Sequence, residues 1–367
     1  MTPGELWCLP GGAGGVSNLE QLPGPYTWSA HSSPHFDLVT MDHSHSRWYA
    51  RATRDVAMAD IVVAEFMDKT AVADLSNDFD VLYDPTLVDD GERLAEELQV
   101  AQALVVRNRT CVDQALLATA PELRVVARLG VGLDNIDLDA CKQRGIEVAP
   151  ATGANAVAVA EYVIGALLVL VRGVYGRTHE VISGEWPRPT SSGGELMGKR
   201  LGLLGYGLIA REVAARATAF GMEVAAHDPY LPPDAQAWED TVRLDLDQLF
   251  ASSQAISVHV PLTEETRSIV DAGKITSMPE GAVLVNTSRG AVVDETALLD
   301  ALRDGHLGGA ALDVFAREPV DAETGKGFRN VPNLLLTPHI AGVTRESDVR
   351  IGQMAARSIR QVLAEEG

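Results

Sequence analysis

The sequence predicts an α/β protein made of two parallel-sheet domains. Three observations carry that reading. The chain has 367 residues, enough for roughly two domains at about 150 residues each. From Asp60 onward, short apolar runs alternate with segments of helical period, the pattern of βαβ units around a parallel sheet. The pattern occurs twice, and a long apolar segment, 155–178, separates the two series.

In the first series, "DIVVAEF" (60–66) and "DVLYDP" (80–85) read as strands and "GERLAEELQVA" (91–101) as a helix. "ALVVRN" (103–108) is a strand, "VDQALLATAPE" (112–122) a helix, "LRVVARLG" (123–130) a strand, "IDLDACKQRG" (136–145) a helix and "IEVAPA" (146–151) a strand. The segment 155–178 reads as one long helix. Its most apolar run, "VIGALLVLV" (163–171), is too short to span a bilayer and suits a buried or interface helix. The second series runs from Lys199 to 337, and "ESDVRIGQMAARSIRQVLAEE" (346–366) forms the last helix.

Residues 1–57 differ. "LPGGAGG" and "LPGPY" are turn-rich, and His31, His35, His43 and His45 lie among serines without apolar period. Such a stretch buries too little to offset its ordering entropy, so it reads as a disordered or appended tail and not as a metal site. It lacks the order of a signal peptide. Met58 reads like a natural start, which would make the tail an over-extended one.

Composition excludes some partners. Lys and Arg number 30 against 51 Asp and Glu, a formal net charge of −21. That disfavours nucleic acid and anionic membrane surfaces. A small anionic substrate stays open, because screening confines exposed charges to about 8 Å at physiological salt. Three cysteines (Cys8, Cys111, Cys141) show neither paired nor metal-type spacing, so no disulfide framework is expected and a reducing cytoplasm fits.

Four stretches carry chemistry. In "LGLLGYGLIAREVAARATAFGMEVAAHDPY" a strand runs into Gly205-x-Gly207-x-x-Ala210 and a helix, and the next strand ends in Asp228. Gly205 allows the tight turn, Gly207 lets backbone N–H groups approach a pyrophosphate, and Ala210 permits close helix–strand packing. The helix N-terminus adds donors and partial positive charge. Asp228 stands where a carboxylate binds ribose hydroxyls and repels a 2′-phosphate, which favours NAD. In "LVNTSRGAVVDETALLDAL" a strand ends in Asn286–Arg289; Arg289 can clamp a carboxylate, or pair with a helix-terminal acid on the surface. "ALDVFAREP" and "TPHIAG" supply Asp313, Glu318 and His339. A histidine fixed by a carboxylate suits proton transfer near neutral pH, although a lone histidine is more often structural.

These stretches, with "VHVPLTEETRSIV" and in this order, resemble the D-isomer-specific 2-hydroxyacid dehydrogenase family over residues 58–367. The resemblance implies two Rossmann-like doubly wound domains: 155–337 binds NAD and is inserted into a substrate domain made of 58–154 and 338–367. It implies a catalytic set of Arg289, Glu318 and His339, with Arg289 also holding substrate. It places Gly205, Gly207, Leu208, Ile209, Asp228, His259, Pro261, Thr287 and Asp313 at the cofactor, no metal, and a homodimer formed through the helix at 155–178. His259 serves equally as a satisfied strand-end histidine. "GVGLDN" (130–135) matches the family's substrate loop, so Val131 and Gly132 would reach the substrate carboxylate.

One feature is left over. "VVRNRT" (105–110) and Arg128 put arginines at the ends of successive strands in a strongly acidic chain. A simple lactate needs one arginine, and Arg289 supplies it. Arg107 and Arg128 would then hold a second anionic group, as in sulfolactate, phosphonolactate or 3-phosphoglycerate. The plainer alternative leaves Arg109 in solvent and pairs Arg128 structurally. The stretch from "EFMD" to "ATGANAVAVAEY" resembles the family's phosphoglycerate dehydrogenases and (S)-sulfolactate dehydrogenases. Two other readings stand beside this one: a glycerate or hydroxypyruvate reductase, which would leave the extra arginines idle, and an NAD-sensing binding module of corepressor type.

Overall fold

A computed structural model describes residues 59–364. The tail, its histidines and Cys8 lie outside the described residues. The chain divides into two compact units. Among the described residues, the first comprises 59–129, Leu133–Pro150 and 355–364; the second comprises Gly130–Gly132 and Ala151–Met354.

The first unit holds five parallel strands: β1 (Ile61–Val63), β2 (Val81–Tyr83), β3 (Ala103–Val106), β4 (Val125–Arg128) and β5 (Glu147–Pro150). Their order is β2-β1-β3-β4-β5. β1, β3 and the first three residues of β4 are fully buried, as continuous apolar runs in a sheet covered on both faces should be. Pairing puts Val106 beside Arg128 at the carboxyl edge. The connecting helices are α1 (Lys69–Leu75), α2 (Gly91–Glu97), α3 (Gln114–Ala118) and α4 (Leu138–Gln143). Sequence reading passes over α1. It has only seven residues, and the side chain of Asp68 starts it by accepting from Thr70 and Ala71 N–H.

The second unit holds α5 (Ala156–Arg172), α6 (Thr178–Ile182), β6 (Arg200–Leu204), α7 (Leu208–Ala219), β7 (Glu223–His227), β8 (Val242–Arg243), α8 (Leu246–Ser252), β9 (Ala255–Val258), α9 (Ala272–Ser277), β10 (Ala282–Asn286), α10 (Glu295–Arg303), β11 (Leu307–Leu312) and β12 (Leu334–Leu336). All seven strands are parallel, in the order β12-β11-β10-β9-β6-β7-β8. From β6 the chain winds outward through β7 and β8, then returns to β9 and winds the other way. Both sheets are therefore α/β and doubly wound, with the switch point of the second between β6 and β9. The last helix, α11 (Arg345–Ala364), begins in the second unit and continues into the first from Ala355.

The long helix is shorter than its apolar pattern suggests. It stops at Arg172 and not at 178, because Gly173 takes the left-handed conformation (φ 63°) and ends it. No helix among the described residues is long and apolar enough to cross a membrane.

One device repeats along the chain. Aspartates 68, 90, 113, 137, 245, 271 and 294 each open a helix by accepting its first free N–H groups. Part of the acidic excess is thus spent on capping. Helix α7 differs: Gly207 stands at its cap position and supplies no side chain.

Candidate active site

The second unit places β6, the glycine loop and α7 at its switch point. Gly205 has φ 87°, and its N–H donates to the His227 carbonyl at 2.8 Å. A Cβ there would lie 2.9 Å from the His259 carbonyl oxygen, so glycine is required. A Cβ at Gly207 would meet nothing within 4 Å. The space beside it is open, and the first N–H groups of α7 have no side-chain cap. Ala210 is fully buried against the sheet. Leu208 and Pro261 are exposed, and Ile209 is half-buried.

Asp228 follows β7. One carboxylate oxygen accepts from Tyr206 N–H at 2.9 Å, the other from Tyr230 and Leu231 N–H at 3.0 and 3.2 Å. The carboxylate therefore ties the glycine loop to the end of β7, and it retains lone pairs for a hydroxyl. His259 follows β9, with Nε2 2.8 Å from the Ser257 hydroxyl. Burial pushes its pKa down to about 4. It is neutral at physiological pH and poorly suited to delivering protons.

Beyond β10 and β11 the chain builds a second group. Buried Asn286 ends β10; its amide donates to the Arg289 carbonyl at 3.0 Å and accepts from Ser288 N–H. Arg289 is half-buried and donates to the Ser288 carbonyl at 2.7 Å. The Thr287 hydroxyl is buried and has no hydrogen-bond partner. Asp313, 1% exposed, directly follows β11. Its carboxylate accepts from the Thr337 hydroxyl (2.6 Å) and from Ile340 and Ala341 N–H (both 2.8 Å). It thereby holds both sides of the turn that carries His339. His339 sits in the left-handed region at φ 56°, its N–H donating to the Asp313 carbonyl at 2.8 Å. Its Nδ1 lies 2.7 Å from Glu318 Oε2. Glu318 is fixed in turn, accepting from Phe315 N–H at 2.9 Å. An ionised Glu318 requires Nδ1 to donate, which leaves Nε2 as the proton acceptor. The His339 side chain is 41% exposed, so that nitrogen is reachable.

In the first unit, Arg107 follows β3 and Arg128 ends β4. Arg107 lies over the Phe66 ring, its Cζ 5.8 Å from the centroid. Arg128 donates to the Leu129 carbonyl at 3.2 Å. Arg109 pairs with Asp89, and both side chains are largely exposed. Val131 is exposed and Gly132 half-buried; these two fall in the second unit, while Leu133 onward belongs to the first.

Sequence reading missed several supporting residues. Gly290 is one: a Cβ would overlap the Phe315 carbonyl carbon at 1.8 Å, so glycine alone lets the Arg289 loop pack there. Tyr162 on α5 is another. Its hydroxyl lies 2.7 Å from Thr337 Oγ1, and burial raises its pKa. Glu65 is a third: buried, it accepts from the backbone of residues 107–110. Only the "NTSRG" string could have pointed to Asn286 and Gly290; nothing local marks Tyr162 or Glu65. Among the described residues no group of three His, Cys, Asp or Glu side chains is arranged to hold a metal.

A parallel sheet with a glycine loop and uncapped helix at its switch point, and a carboxylate-fixed histidine beyond it, defines a dinucleotide-dependent oxidoreductase. Comparison with known proteins gives the family. The model of the D-isomer specific 2-hydroxyacid dehydrogenase NAD binding domain matches residues 164–341. An (S)-sulfolactate dehydrogenase from Chromohalobacter salexigens is 50% identical over 83% of this chain and 99% of its own length. A D-3-phosphoglycerate dehydrogenase from Mycobacterium leprae is 38% identical over 83% of this chain; this chain spans 57% of that enzyme. The crystal structure of D-lactate dehydrogenase from Aquifex aeolicus, complexed with NAD and lactic acid, superposes with a TM-score of 0.72 at 28% identity, over 83% of this chain and 95% of that one. The chain belongs to the D-isomer-specific 2-hydroxyacid dehydrogenase family and is an NAD-dependent 2-hydroxyacid dehydrogenase. The open space at Gly207, the uncapped α7 and the orphaned Thr287 hydroxyl fit that cofactor.

Proposed function

We propose that the substrate is a three-carbon 2-hydroxy acid bearing a second anionic group, of the sulfolactate, phosphonolactate or 3-phosphoglycerate type. Bound NAD supplies the hydride acceptor, and the chain's own groups do the rest. His339 Nε2 takes the hydroxyl proton as hydride leaves the second carbon; in reverse, imidazolium returns it. Glu318 fixes the tautomer and stabilises the imidazolium. Arg289 grips the carboxylate and polarises the keto oxygen, helped by backbone N–H groups at Val131 and Gly132. Asp228 takes the adenosine ribose. Gly205, Gly207, Leu208, Ile209, His259, Pro261 and Thr287 line the cofactor, and Asp313 holds the histidine turn beside it. In this reading 155–337 is the NAD-binding domain, and 58–154 with 338–367 the substrate domain.

The second anion falls to Arg107 and Arg128. The single observation behind this assignment is that adjacent strand ends, at Val106 and Arg128, bring two guanidinium-bearing residues to one sheet edge. Guanidinium suits tetrahedral oxyanions. The 50% identity to a sulfolactate dehydrogenase supports the same class. A homodimer through α5 and the segment after it is part of the reading, supported by exposed Tyr175, Ile182 and Trp186. A cytoplasmic location fits an enzyme that draws on the cell's NAD pool.

The test is NADH absorbance with sulfolactate (both enantiomers), 3-phosphonolactate, 3-phosphoglycerate, glycerate, malate and lactate. Strong preference for one of the first three is expected. Activity confined to glycerate or lactate would leave the dehydrogenase intact and refute the second anion. No turnover despite NADH binding would point to a binding module.

A further inference from the structure

The segment "RNRT" is built around a carboxylate that takes no part in the chemistry above. Glu65, two residues beyond β1, is 5% exposed. Its Oε1 accepts from the N–H groups of Arg107 (2.9 Å), Thr110 (2.9 Å) and Arg109 (3.3 Å). Its Oε2 accepts from Asn108 (3.3 Å) and Arg109 (3.2 Å). Four consecutive backbone donors therefore converge on one buried anion, a nest whose partial positive charges offset the carboxylate. Asn135 closes the same turn from the other side, its amide donating to the carbonyls of Thr110 (2.7 Å) and Arg107 (3.4 Å). Phe66, the neighbour of Glu65, supplies the ring under the Arg107 guanidinium. One dipeptide just beyond β1 thus holds the backbone of Arg107 and contacts its side chain.

We propose that Glu65 is a positioning residue for substrate selectivity: it holds the 107–110 turn so that Arg107 meets the substrate's second anionic group. This rests on the reading that Arg107 binds that group. Glutamine at 65 would keep the shape but turn an NH₂ toward N–H donors, leaving buried donors unmet. Arginine reach alone would tolerate this; a fixed pocket would not.

The experiment compares E65Q, N135A and R107A with the wild-type full-length chain. The substrates are glycerate and whichever of sulfolactate, 3-phosphonolactate or 3-phosphoglycerate the wild type uses best. For E65Q, the ratio of kcat/KM for the dianionic substrate over glycerate should fall about tenfold or more, chiefly through KM. NADH affinity should hold, as judged by fluorescence titration. N135A should shift the ratio in the same direction, and it decides the matter if E65Q does not fold. A folded E65Q with the wild-type ratio overturns the inference, as does an equal loss on both substrates. R107A separates the two levels. If it leaves KM for the dianionic substrate unchanged, the second-anion reading fails; if it raises KM while E65Q and N135A do not, the positioning role of Glu65 fails alone.

Discussion

A buried carboxylate holds a turn in each unit, Glu65 in the first and Asp313 in the second, and the two do it differently. Glu65 accepts from four successive N–H groups and fixes the turn that carries Arg107 and Arg109. Asp313 accepts from two N–H groups and a hydroxyl on both sides of His339. Around the histidine a second carboxylate is added: Glu318 fixes the ring itself at 2.7 Å. For an arginine, fixing the backbone leaves the guanidinium to be set by its own contacts, here the Phe66 ring. A base must be placed within hydrogen-bond reach and in one tautomer. The extra carboxylate is what the proton-transfer role proposed for His339 requires and the Arg107 turn does not.

The sharpest way to break that contrast is His339→Ala. Losing a general acid–base should lower kcat by about 10²- to 10⁴-fold. NADH affinity should change little, because the nucleotide loop and Asp228 are untouched. Stopped-flow hydride transfer together with NADH titration gives both numbers. Parallel losses in the two, or undiminished turnover, would remove His339 from its role.

Asp313→Asn comes next. It presents an NH₂ to at least one of two N–H donors in a site that excludes water. Leaving buried groups unmet should cost about 1–3 kcal/mol of stability. Because the His339 turn is what loosens, kcat should fall as well, and more than NADH affinity does. A variant that loses stability but keeps wild-type kcat would show that Asp313 only supports the fold.

The contrast extends to the two histidines. His339 is reachable; His259 is pushed down to about 4 by burial. An unfolded histidine titrates near pH 6.5. Between those values the unfolded chain binds a proton that the native chain refuses. Native stability is therefore full above about pH 6.5 and declines as pH falls toward 4, by at most about 3 kcal/mol from this group. Urea midpoints of wild type and His259→Gln between pH 7 and 4.5 report it. The variant should show a shallower decline, and identical slopes would refute the burial argument.

Much of this was legible in the chain. Alternating apolar runs gave both parallel sheets, since strand and helix periods are local properties. The glycine loop, Asp228, Glu318 and His339 stood in strings whose spacing is tied to backbone geometry. The extent of the long helix was misread, because apolar period continued past Gly173 while backbone conformation did not. The short α1 was missed because seven residues hold too little period. Glu65 and Tyr162 were invisible for another reason. Glu65 meets its partners 42 to 45 residues away, and Tyr162 meets Thr337 across 175. No local pattern encodes such meetings; only the folded sheet brings them together.

The smallest expected effect belongs to the second arginine of "VVRNRT". Arg109 pairs with Asp89, with side chains 60% and 65% exposed. An ion pair so open to water contributes under about 1 kcal/mol. The backbone N–H of Arg109 still reaches Glu65, but alanine keeps that N–H. Arg109→Ala should therefore leave melting temperature, KM for the dianionic substrate and NADH affinity close to wild type. Arg107→Ala, two residues away in the same turn, should raise that KM. Assayed side by side, the pair asks whether charge at this sheet edge suffices or whether one guanidinium, held over Phe66, is selected. Equal rises in KM would favour a diffuse electrostatic field, and that field would weaken steeply with added salt. A rise confined to Arg107→Ala would mean that the turn, more than the charge it carries, makes the pocket.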